Sequence, residues 1–279
     1  MVYKHAMKGF LRTVLLFAAA SVLLLYQLLS LIASPEMQYQ LQVLLPESVK
    51  RAVGISDWIT EQNAVSLLFG TASGICLLVC IFFLFSGGGI VYKHQERGLL
   101  EFYLTRSVTR RAYFMCLWLR GLTYAIVMSV LFAGSIYTYL YVSGSSPYAV
   151  LHSGSGYYAP PEHLWLALRI AFRCFVVWLT LYSVGLCFGA ICKHITKPRF
   201  FALLVFLVLY VCGILCELFS QLWFFSFGAL YHTALPLNAV YTDFLIAWQI
   251  LPLTAVLLIG SIWGGIAAMH RRDIEEIEA

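Results

Sequence analysis

Charge is what this sequence has least of. Lys and Arg number 18 and Asp and Glu 13 among 279 residues, 11% in all, where a soluble domain carries about 25%. With 61% of residues hydrophobic, that scarcity excludes an ordinary soluble domain and places the chain among polytopic membrane proteins. Other absences narrow the field. No GxxxxGK[ST] loop occurs; the string from Gly87 to Lys93, GGGIVYK, lacks the spacing, so nucleotide hydrolysis would have to reside in another polypeptide. HExxH, GxSxG and a pair of intramembrane aspartates are also missing, which removes the apparatus for hydrolysis within the membrane. His5, His94, His194 and His270 fall near helix ends on one side and His152, His163 and His232 on the other, leaving no mid-membrane ligands for haem. Inverted repeats and mid-membrane acids are lacking too, which disfavours a secondary transporter or channel.

What is present is a set of long apolar runs. Six are long enough to cross a hydrocarbon core, near residues 10–33, 64–92, 113–142, 164–192, 200–219 and 244–269. The expected fold class is therefore all-α, one membrane domain over 1–279 with six transmembrane helices. The first run exceeds a signal-peptide core of about 7–15 residues and predicts a retained helix. Lys and Arg set the orientation. Lys4, Lys8, Arg12, Lys93, Arg97, Arg106, Arg110, Arg111, Lys193, Lys197, Arg199, Arg271 and Arg272 lie on one side, and Lys50 and Arg51 on the other. The positive-inside rule then puts both termini in the cytoplasm of a multi-pass cell-membrane protein. The net charge of +5 reports that orientation, and predicts membrane lipid rather than nucleic acid as its partner.

Between the runs, 34–63 suits a short helix on the outer surface and 143–163 an irregular Gly-, Ser- and Pro-rich loop. The aromatic stretch 219–243 is expected to stay in the outer interface or to dip back into it. Pro252 is a candidate kink. All eight cysteines fall in or at the ends of predicted helices. Cys76/Cys80 and Cys212/Cys216 are i, i+4 pairs, read as small packing residues with a metal site as the alternative. Gly87, Gly88 and Gly89 form either a flexible joint or a close-packing surface.

Charge concentrates in VYKHQERGLLEFYLTRSVTRR, residues 91–111. After Gly98 the apolar residues Leu99, Leu100, Phe102, Tyr103 and Leu104 form one side, which predicts a short amphipathic helix at the inner interface. It is either a passive connector or a docking element for a cytoplasmic partner.

The string ERGLLEFYLTRSVTRRAYF resembles the segment after the second membrane helix of ABC-2-type ABC transporter permeases, six-helix type with a separate ATPase. Glu96, Arg97, Gly98, Leu100, Glu101, Leu104, Val108, Arg110 and Arg111 match that pattern. Leu99 replaces a frequent Thr, Ser107 a frequent Pro, His94 a frequent acid and Leu117 a frequent Lys. ALPLNAVYTDF before the last run resembles the family's Leu-Asn-Pro stretch, with Ala239 in place of Pro. The resemblance implies that residues 93–112 are a coupling segment. Glu96, Arg97, Gly98, Glu101, Arg106, Ser107, Arg110 and Arg111 would engage an ABC-type ATPase subunit that binds ATP and Mg. It further implies that the chain is not itself an enzyme, that it works with a second permease copy or a sister permease, and that export is its direction. A non-transporting membrane anchor or assembly subunit is the alternative.

Arg169 and Arg173 stand roughly 7 and 13 Å from the outer end of the fourth run. A central Arg costs about 2.5–3.5 kcal/mol even on the lenient scale. Arg169 is placed to snorkel outward, while Arg173 needs a partner or a wet cavity. Glu217 is the expected counter-charge at similar depth. An ion pair and a polar lining for an anionic or amphiphilic substrate both remain open, and Arg120 reads as a snorkelling residue.

Overall fold

The computed structural model describes Met7, residues 12–13, 16–17, 19–20, 64–96, 108–143, 163–192, 196–218 and 251–271. Among the described residues five long helices carry the fold: α1 (Ala64–Glu96), α2 (Arg110–Ser143), α3 (His163–Ile191), α4 (Thr196–Leu218) and α5 (Leu251–Arg271). Four spans within them, Gly74–Gln95, Arg110–Thr138, Leu164–Ile191 and Pro252–Arg271, are long and apolar enough to cross a membrane. Of the first predicted span, Arg12, Thr13, Leu16, Phe17, Ala19 and Ala20 are described, all helical. The expected surface helix at 34–63 and interfacial stretch at 219–243 lie outside the described residues, as does nearly all of the 143–163 loop.

Helix ends follow local chemistry. Thr109 caps α2, its Oγ1 accepting from the Ala112 amide at 3.2 Å. Pro252 is the second described residue of α5, and the preceding turn that would decide whether it is a kink lies outside the described residues. α1 runs unbroken through its three glycines, because backbone groups within a bilayer have no alternative partner to the helix ladder.

α3 is the axis of the bundle: it packs most extensively on α1, then on α2 and α5, and more lightly on α4. Its span is 72% buried against 22% for that of α5. Every residue from Val177 to Leu186 is buried, so the helix has no lipid-facing stripe there. α1 and α3 run parallel and touch backbone to backbone. A Cβ on Gly185 would strike the Leu84 carbonyl and come within 3.0 Å of the Gly88 amide nitrogen. One on Gly189 would fall 2.9 Å from the Gly88 carbonyl oxygen. The glycine triplet is thus a packing surface, and Gly185-xxx-Gly189 is its complement.

Above this contact the Trp178 indole stacks on Phe83 at 5.5 Å and meets the edge of Phe132 at 5.7 Å. α2 is pinned to α3 by polar contacts suited to an apolar medium. The Tyr182 hydroxyl donates to the Leu117 carbonyl and Trp118 Nε1 to Ser183 Oγ, both at 2.9 Å. Gly121 makes room for the Tyr182 ring, and Gly265 of α5 for that of Phe114.

Candidate functional site

The packing brings one set of helix ends together. The C-terminus of α1 meets the start of α2, where His94 Nδ1 and the Tyr113 hydroxyl share a buried hydrogen bond of 3.0 Å. The start of α2 meets the C-terminus of α5. Arg110 Nη1 donates to the His270 carbonyl at 2.7 Å and to that of Met269 at 3.3 Å. These carbonyls belong to the last turn of α5, where the helix dipole and unpaired acceptors favour a cation. α4 begins beside α1, with the Arg199 side chain lying across Gly88 and Gly89. A Cβ at Gly89 would come 2.7 Å from Arg199 Nη2. Lys93, Arg110, Arg111, Lys197, Arg199 and Arg271 therefore share one end of the bundle.

The residues expected to couple to an ATPase divide accordingly. Glu96 closes α1, though its side chain lies outside the described residues, as do Arg97, Gly98, Glu101, Arg106 and Ser107 altogether. Arg110 is a structural tie between α2 and α5, a role its place in the motif does not reveal. Arg111 is exposed at the basic end. The segment between Glu96 and Arg110 thus leaves and re-enters the bundle at neighbouring, hydrogen-bonded helix ends. His94, which departs from the family pattern, is buried in that joint at 6% exposure. Leu117, where the family often has Lys, is fully buried and offers its carbonyl to Tyr182.

Replacing Arg110 with Gln removes the charge-assisted bonds to α5. The expected cost is about 1 kcal/mol, because the shorter bond is exposed to water and the longer only partly shielded from it. A melting curve of the purified protein checks it, with Arg111→Gln, which touches no helix end in this way, expected to be neutral.

At the opposite end, Arg169 and Arg173 lie on α3. Arg169 is buried at 6% exposure, its guanidinium directed toward the start of α3 and 5.7 Å from the centre of the Trp165 ring. Arg173 is buried at 2%. Glu217 is the penultimate residue of α4. By helical rise it stands about 32 Å beyond the start of α4, while Arg173 and Arg169 stand about 27 and 33 Å before the end of α3. The Glu217 side chain, and with it the expected pairing, lies outside the described residues.

The thiols of Cys76, Cys80 and Cys174 are buried together between α1 and α3. Among the described residues no three His, Cys, Asp or Glu side chains are arranged to hold a metal ion. The packing role of Cys76 and Cys80 is visible in their full burial. Two features escaped the sequence reading. The GxxxG spacing at Gly185 and Gly189 was present as a signal for close helix packing. The partnership of Arg110 with α5 was not, since it joins residues about 160 positions apart.

No protein-family model matches the chain, and no curated protein matches it.

Proposed function

We propose that this chain is the membrane-spanning permease subunit of an ATP-driven ABC-2-type transporter, an exporter whose ATP and Mg are bound by a separate ATPase. In this reading six helices cross the cell membrane, both termini are cytoplasmic, and two permease copies or sister permeases form the path. The observation that carries it is the anchoring of the charged segment. His94–Tyr113 ties α1 to α2 and Arg110 ties α2 to α5, so a push on residues 97–109 reaches three packed helices rather than one. A stiff input shared by several helices is what transmission of ATPase closure demands. The resemblance of residues 96–111 to the permease coupling segment supports the same reading.

Affinity purification of the full chain from its native host tests it. The expected result is a nucleotide-hydrolysing partner that is lost with Glu101→Lys while the variant keeps its melting temperature. A stable complex that contains no ATPase overturns the proposal in favour of an anchor or assembly subunit.

A further inference from the structure

Arg199, the fourth residue of α4, is exposed, yet its side chain lies on a shelf of α1. A Cβ at Gly88 would come 3.7 Å from Arg199 Cγ. The three atoms nearest a Cβ at Gly89 are Nη2, Nε and Cζ of Arg199, at 2.7, 3.3 and 3.4 Å. Gly87 and Gly88 also face the backbone of α3, so Gly89 is the member of the triplet that makes room for a guanidinium. Lys93 stands one turn further along α1 on the same face as Gly89, about 6 Å on, and it too is exposed. Neither Lys93 nor Arg199 makes a hydrogen bond or ion pair among the described residues. Arg110 differs, its guanidinium being taken up by the α5 carbonyls.

The two cations share a level. Lys93 directly follows the apolar run of α1 and Arg199 directly precedes that of α4, so both stand where hydrocarbon gives way to headgroups. Deeper in the membrane, the same two helices present apolar surface outward. The α1 face that carries Gly89 and Lys93 also carries Leu78 and Phe82, 59% and 38% exposed. On α4, Phe200, Leu204, Leu207 and Val211 form an exposed stripe that starts next to Arg199. From Phe200 to Val211 it runs about 16 Å, close to the roughly 15 Å of one hydrocarbon leaflet. Such a surface suits an acyl chain. At its head, an accessible guanidinium with a second cation one turn away suits a phosphate, because Arg engages two oxygens through its planar fork and Lys adds a point charge. Two unpaired cations favour a headgroup of net negative charge over a zwitterionic one.

We propose that Arg199, seated on the Gly88–Gly89 shelf, and Lys93 bind the phosphate of an anionic phospholipid whose acyl chain lies along the outward faces of α1 and α4. The site is independent of the transport reading and would serve an anchor subunit equally.

Native mass spectrometry of the full chain in detergent tests it, with phosphatidylglycerol, phosphatidylcholine or inorganic phosphate added. Wild-type protein should retain phosphatidylglycerol in preference to phosphatidylcholine. Arg199→Gln should weaken that retention about tenfold, and Lys93→Gln by less, since it removes a charge but no fork. Gly89→Ala, whose methyl group meets only the end of the Arg199 side chain, should lower retention at an unchanged melting temperature. Arg271→Gln removes the same unit of charge from the end of α5 and should retain the lipid as wild type does. Equal retention of the two lipids by wild type overturns the proposal, as does undiminished retention by Arg199→Gln or by Gly89→Ala. Equal losses in Arg199→Gln and Arg271→Gln overturn it in favour of diffuse charge. Binding of inorganic phosphate with no retention of phosphatidylglycerol overturns the assignment to a headgroup.

Discussion

Gly185→Leu is expected to separate α1 from α3 and to abolish the folded bundle. The Cβ position already collides with the Leu84 carbonyl and crowds the Gly88 amide. Both are backbone atoms, which cannot swing aside as a side-chain end can. Overpacking in a core costs about 1–3 kcal/mol when neighbours can adjust, and here the adjustment must be a translation of whole helices. The loss extends to Gly87 and Gly189, which share the contact. Gly185→Ala should fall between wild type and Leu in melting temperature. Size-exclusion profiles and melting curves in one detergent read the series, and a Leu variant that melts with wild type would remove the glycine contact from the account.

Trp178→Ala is expected to cost about 3–5 kcal/mol, the range for deleting a large aromatic from a packed core. Trp178 is fully buried, stacked on Phe83 of α1 and edged by Phe132 of α2, so three helices lose contact at once. Its indole nitrogen has only the weakly accepting thiols of Cys76 and Cys80 beside it, in no well-formed hydrogen bond among the described residues. Trp178→Phe should therefore recover most of the loss, because ring volume rather than the N–H supports the core. A Phe variant as unstable as Ala would show that the nitrogen matters after all.

The membrane character and four of the spans were legible in hydropathy alone, with boundaries close to those observed for α1, α2 and α3. The expected start of the last span, near 244, lies outside the described residues. The two readings of Gly87–Gly89 were inseparable from local sequence, because glycine serves a joint and a close contact equally; only the partner helix decides. At the candidate site, the clustering of basic residues at one end followed from the same charge asymmetry that set the topology. The Arg110 tie and the burial of Arg169 depend on which helices become neighbours, and no spacing along the chain encodes that.

The glycine contact also sets an order of events during synthesis. α1 and α3 lie parallel, so α2 must cross back before α3 can enter, and the glycine face of α1 has no partner until residue 189 has left the ribosome. At about 5–20 residues per second, α1 waits several seconds in the bilayer with that face bare. A chain halted after α2 would present the same face to any other small-residue helix nearby, making the interval before α3 arrives the stage at which mispairing in the membrane is easiest.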